Sequence, residues 1–138
     1  MLSLIEAKKR GVKVVLITPD KNNSRTIKDY LEWECERHGI DILWYPNRML
    51  HLKALLIDDE LLVTGSSNFD YFSYYLLEEV IVVFKEKYII ESFKNEVLKP
   101  DLLLSGKPNK KINTLKGYGQ NIKLHGFFSA LKFLQHLS

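Results

Sequence analysis

The sequence predicts an α/β fold, a mixed sheet flanked by helices. Two observations carry that expectation. Short apolar runs rich in β-branched residues, at 12–17, 40–45 and 80–84, alternate with stretches whose apolar residues recur at helical spacing. The breaks between them hold Gly11, Pro19, Gly39 and Pro46, where an alternating chain must turn. Strand and helix in alternation is the pattern of layered α/β folds.

Taken in chain order, Leu2, Leu4 and Ile5 precede Lys8-Lys9-Arg10-Gly11, a short helix with a basic last turn and a glycine stop. Residues 12–17 read as a buried strand closed by Thr18-Pro19-Asp20. Ser24 is placed to cap a helix on which Ile27, Leu31, Cys35 and His38 share a face, with Gly39 as its end. Cys35 on that face is expected to be buried and inert. Residues 40–45 form a second strand, halted by Pro46-Asn47. Residues 51–57 and 61–64 pair as a hairpin about the acidic turn Asp58-Asp59-Glu60. Residues 80–84 form a continuous apolar strand, and 88–98 an amphipathic helix with Ile89, Phe93 and Val97 in register. Lys99-Pro100 is expected to end the ordered part. The division is thus a catalytic part, 1–100, and a second part, 101–138: a basic linker at 105–120 and a candidate amphipathic helix at 122–137.

The 138 residues suffice for one core. Hydrophobic residues at 46% and charged residues at 27% exclude a disordered or low-complexity chain. The single cysteine excludes an internal disulfide framework and a Cys-rich zinc site. No apolar run reaches the roughly 18 residues of a membrane span, and the first residues do not read as a signal peptide, so the expected compartment is the cytoplasm. Charge is uneven: the net +3 of the chain is −2 over residues 1–100 and +5 over 101–138. The tail, with Phe127, Phe128 and Phe133 among lysines, is a candidate for peripheral contact with an anionic membrane surface.

The chemistry concentrates in His51-Leu52-Lys53-Ala54-Leu55-Leu56-Ile57-Asp58, followed by Gly65-Ser66-Ser67-Asn68. Residues i and i+2 of a strand share a face, so His51 and Lys53 point the same way, with Leu55 and Ile57 deeper along it. The antiparallel return of the hairpin brings the Gly-Ser-Ser-Asn turn beside His51. An imidazole, a fixed cation and several neutral donors at one spot suit a phosphate diester. Lys53 neutralises nonbridging oxygens, Ser66 and Asn68 hydrogen-bond them, and His51 attacks phosphorus or moves a proton.

The pattern H-x-K-x4-D-x6-G-S-x-N has no mismatch here, and six fixed residues at ordinary usage coincide by chance about once in 10⁸ starts. On these residues the chain resembles the phospholipase D superfamily, over roughly residues 1–98. The step Ala7-Lys8-Lys9-Arg10-Gly11-Val12-Lys13-Val14, and Asn68-Phe69-Asp70 followed by Glu79, resemble its cardiolipin synthase-like branch. The resemblance implies half of a two-motif fold and a phosphohistidine mechanism. His51 is then the nucleophile or the acid/base. Lys53, Ser66 and Asn68 hold the phosphate, Asp58 is an orienting or structural member of the motif, and Glu79 is a candidate partner of the imidazole. No metal and no cofactor is implied.

The chain departs from the family in three ways. It has one copy of the motif where the chemistry needs two, since His38, His125 and His136 have no lysine two residues on. The resemblance therefore implies a second motif-bearing chain, as in the single-motif nuclease members that act as homodimers. The sequence starts at a helix that family halves usually precede with one or two strands, so it looks like the C-terminal half of a longer enzyme. Phe72 and Leu77 stand where the cardiolipin synthase-like branch tends to have Arg and Asn. The leading expectation is a phosphodiesterase/phosphatidyltransferase acting on phospholipids. The alternatives are a metal-independent nuclease-type phosphodiesterase with DNA or RNA as substrate, and an inactive truncated fragment.

Overall fold

The computed structural model describes residues 1–20, 25–46, 49–68, 73 and 75–108. The chain divides into two units, residues 1–50 with the segment from 104 onward, and residues 51–103. The expected amphipathic segment at 122–137 lies outside the described residues.

The first unit is a βαβ arrangement preceded by a helix. Helix α1 (Leu2–Lys9) leads to strand β1 (Val15–Pro19), helix α2 (Arg25–His38) and strand β2 (Asp41–Tyr45). The strands pair in parallel, from Val15 opposite Asp41 to Pro19 opposite Tyr45. Parallel neighbours need a crossover, and α2 supplies it. The core gathers Ile5, Val14, Cys35, Ile40, Ile42 and Trp44. Both helices end by folding the chain back on their last turn: Val12 N–H bonds the Ala7 carbonyl at 3.2 Å, and Ile40 N–H bonds that of Cys35 at 2.9 Å. Gly39 takes φ +67° to make the second of these turns, a conformation that side chains disfavour.

Strand β1 starts three residues later than the apolar run suggests and includes Pro19. The reason is local: Val12 belongs to the helix stop, so pairing begins only once the chain has left that turn. Cys35 is fully buried, and desolvation pushes its thiol up to about 11. It is therefore expected to resist a thiol reagent at pH 8 in the folded protein and to react in full under denaturing conditions. Rapid labelling of native protein would contradict this burial.

The second unit holds strands β3 (Ala54–Ile57), β4 (Leu61–Gly65) and β5 (Ile81–Phe84) in an antiparallel sheet of that order. Parallel and antiparallel pairing are thus both present, divided between two sheets. The hairpin turn carries positive φ at Asp58 (52°) and Asp59 (58°), with Glu60 N–H bonding the Ile57 carbonyl at 3.0 Å. Two left-handed residues match the twist of the strands, and aspartate tolerates that conformation. Leu62 is buried, but Leu55 and Ile57 are partly open to solvent instead of deep in a core. Ile81, Val82 and Val83, on the edge strand β5, are exposed as well.

Helix α3 (Lys87–Phe93) runs into one π-helical turn (Lys94–Leu98) and then α4 (Lys99–Leu104). Ile90 is almost fully buried, which stabilises the unit by about 1.5–3 kcal/mol. Lys99-Pro100 does not end the order, as the sequence suggested. Pro100 has no N–H and would crowd the carbonyl four residues back in an α-helix. The wider turn before it lets Lys99 N–H reach the Lys94 carbonyl, and the helix continues. Beyond it, Gly106 exchanges backbone bonds with Trp44, at 2.7 and 3.1 Å, so the start of the expected linker is tied to β2.

Candidate active site

The β3–β4 register sets the site. Ala54 stands opposite Thr64, and the Thr64 hydroxyl donates to the Lys53 carbonyl at 2.8 Å. That bond ties the backbone of Lys53, just before β3, to β4 one residue short of Gly65. His51 is exposed and Lys53 is buried, with 9% of its surface accessible. A lysine is seldom buried to that degree without a partner. Here its ammonium donates to the His51 backbone carbonyl at 2.9 Å, holding the backbone of the residue whose imidazole it neighbours in sequence.

Gly65 is required by space. A Cβ there would lie 2.0 Å from the Val80 carbonyl oxygen and 3.0 Å from Ile81 Cα. This close approach lets Ser66 N–H bond the Val80 carbonyl at 3.0 Å while Val80 N–H bonds Ser66 Oγ at 3.0 Å. The Ser66 hydroxyl in turn donates to the Glu79 carboxylate. Ser67 is buried, and Asn68 N–H donates to Ser73 Oγ at 3.1 Å. The hydroxyls of Ser66 and Ser73 and the nearby Lys53 charge hold the Glu79 carboxyl below its usual range.

Lys53 and its bonded neighbour His51 precede β3, and Ser66, bonded to Glu79, follows β4, so these residues flank the same end of the β3–β4 pair in the chain. Asp58 does not: it sits in the turn at the opposite end of β3 and is exposed. Its neighbour Asp59 accepts an ion pair from Lys94 at 2.7 Å, which ties the hairpin tip to the π-helical turn. Glu79 accepts the Ser66 hydroxyl, and among the described residues no bond from it to the imidazole occurs. The sequence reading missed Ser73 and Thr64. Thr64 had a signal in its place opposite the motif strand, but Ser73 lies beyond the turn, where spacing alone says nothing.

A separate cavity of about 450 Å³ in the first unit is lined by Lys28, Glu32, Trp44 and Leu104 among others, and by no motif residue. Among the described residues no group of His, Cys, Asp or Glu is arranged to hold a metal ion. No helix among them is long and apolar enough to cross a membrane.

In solved structures, the chain resembles a phospholipase D family member, Nuc from Salmonella typhimurium, with TM-score 0.70 and 24% identity over 79% of this chain and 72% of that one. NucT from Helicobacter pylori matches with TM-score 0.63 and 18% identity, over 78% and 72% of the two chains. At these identities the likeness shows the fold. Among sequences, the minor cardiolipin synthase ClsB of Bacillus subtilis is 37% identical over 99 residues, 69% of this chain and 24% of that protein. Cardiolipin synthase A of Buchnera aphidicola is 29% identical over 141 residues, 94% of this chain and 27% of its own length. The chain thus spans about a quarter of these relatives. The family described as cardiolipin synthase, PLD-like domain, matches residues 1–99, which hold every motif residue described above. The chain belongs to that phospholipase D-like family.

Proposed function

We propose that this chain contributes half of a phosphodiesterase/phosphatidyltransferase site acting on phospholipid phosphodiester bonds. The observation that supports the reading is the buried Lys53 ammonium, held to the His51 backbone, on the strand that pairs with the one leading into the Gly65-Ser66-Ser67-Asn68 turn. An ammonium has three protons. One of Lys53's goes to the His51 carbonyl, and the others suit the nonbridging oxygens of a diester.

In this reading one histidine attacks phosphorus, an N–P bond forms, and the P–O bond to the leaving alcohol breaks. A second histidine gives that oxygen its proton. The same second histidine then takes the proton of an acceptor alcohol or water, whose oxygen attacks phosphorus and releases the first imidazole. One imidazole cannot perform both roles in the same step, so His51 takes one role and a second copy or another motif-bearing chain supplies the other. The positive stretch at 101–138 favours an anionic surface as the place of work.

The test is turnover of phosphatidylglycerol in mixed micelles, with excess EDTA, at several protein concentrations. Transfer or hydrolysis whose specific activity rises with concentration is the expected result. Cleavage of plasmid DNA in its place would favour the nuclease alternative, and inactivity on both would mark an inactive half.

A further inference from the structure

Resting on that reading of the site, we propose that Glu79 sets the charge of the phosphate that the site accepts. Its carboxylate, held at the Gly-Ser-Ser-Asn turn by Ser66, admits a diester with one negative charge and disfavours a monoester with two. Val80 N–H bonds Ser66 Oγ at 3.0 Å, and Ser66 N–H bonds the Val80 carbonyl at 3.0 Å. A hydroxyl has one proton, and that of Ser66 goes to the Glu79 carboxylate. The carboxylate is thus fixed one hydrogen bond from the turn. Lys53 is tied to the same stretch of chain: its carbonyl accepts the Thr64 hydroxyl at 2.8 Å, two residues before Ser66. The Ser66 hydroxyl first, and the Lys53 charge among lesser causes, hold the Glu79 carboxyl below its usual range, so it is ionised at neutral pH.

The sign of the selection follows from the two charges. An ammonium alone favours whichever ligand carries more negative charge. Glu79 brings the sum of the pair to zero, so a second negative charge on the ligand gains nothing from Lys53. A phosphate monoester, with a second pKa of about 6, carries close to two charges above neutral pH, and a diester carries one. Selection of this kind works by repulsion of the wrong ligand, not by new contacts to the right one. Hydrolysis of a diester yields a monoester, so the same carboxylate favours departure of that product. The Ser66 hydroxyl serves this arrangement by holding Glu79 in place.

The experiment compares the full-length parent with Glu79→Gln and Glu79→Asp. NMR follows the binding of dimethyl phosphate and of methyl phosphate at pH 8 and low ionic strength, beside melting temperature. Glutamine keeps an oxygen for the Ser66 proton and removes the charge, whereas aspartate keeps the charge. The parent is expected to bind the diester at least as tightly as the monoester. In Glu79→Gln the ratio of the two affinities should shift toward the monoester by about tenfold, the effect of one unit charge a few ångströms away near a protein surface. Glu79→Asp should keep the preference of the parent. An unchanged ratio in Glu79→Gln, a parent that prefers the monoester, or a parent that binds neither phosphate would overturn the proposal. Turnover of phosphatidylglycerol by the parent judges the proposed function separately. A shifted ratio without turnover leaves the charge selection standing and sinks that function, and turnover with an unchanged ratio does the reverse.

Discussion

Replacing His51 by alanine is expected to lower phosphodiester turnover by at least the 10²–10⁴-fold typical of losing general acid–base catalysis, with the fold intact. If His51 is the nucleophile, the covalent route is lost altogether. The side chain is exposed and precedes β3, so its removal opens no cavity and breaks no pairing. Stability should change by no more than about 0.5 kcal/mol, as at other surface positions. The backbone carbonyl that accepts the Lys53 ammonium survives in alanine, so the cation stays in place. The measurement is kcat/KM on phosphatidylglycerol beside the melting temperature. A variant with one tenth or more of the parent activity would remove His51 from the chemistry. Acid-quenched parent protein with labelled substrate should also carry an acid-labile, alkali-stable phosphoryl group, if His51 is the nucleophile, and His51→Ala should not.

The sequence was most legible where local chemistry decides the outcome. Both helix stops at Gly11 and Gly39, the second strand, expected at 40–45 and found at 41–45, and the hairpin about Asp58 and Asp59 follow from turn residues and periodicity. The tight turn at Asp58 and Asp59 sets the hairpin register, with Ile57 opposite Leu61. What stayed hidden depends on neighbours in space. The apolar run at 80–84 reads as a strand and is one over 81–84, yet Ile81, Val82 and Val83 are exposed, because composition alone cannot say whether a neighbour covers them. Pro100 reads as a stop, and only the π-helical turn before it explains the continued helix. The bond between the Ser66 hydroxyl and the Glu79 carboxylate depends on the close approach of the chain at Val80, which spacing alone does not give.

Gly65→Ala is expected to have the larger effect on stability. The added methyl would meet the Val80 carbonyl oxygen at 2.0 Å, with Val80 C and Ile81 Cα each at 3.0 Å. All three are backbone atoms of the segment that Gly65 pairs with through Ile81, so no side-chain rotation relieves the contact. The strands must part or the chain must twist at residue 65. Overpacking of this kind costs about 1–3 kcal/mol. Parting the strands also weakens the reciprocal bonds between Ser66 and Val80, each worth about 0.5–1.5 kcal/mol. Ser66 then no longer presents its proton to Glu79, so activity should fall along with stability. Gly106→Ala is the matched control, because a Cβ there meets nothing within 4 Å, and its backbone bonds to Trp44 do not involve the added methyl. Urea denaturation should show Gly65→Ala less stable by about 2–4 kcal/mol and Gly106→Ala unchanged within about 0.5 kcal/mol. Equal stability of the two variants would mean that β4 and β5 do not approach each other at Gly65 as described.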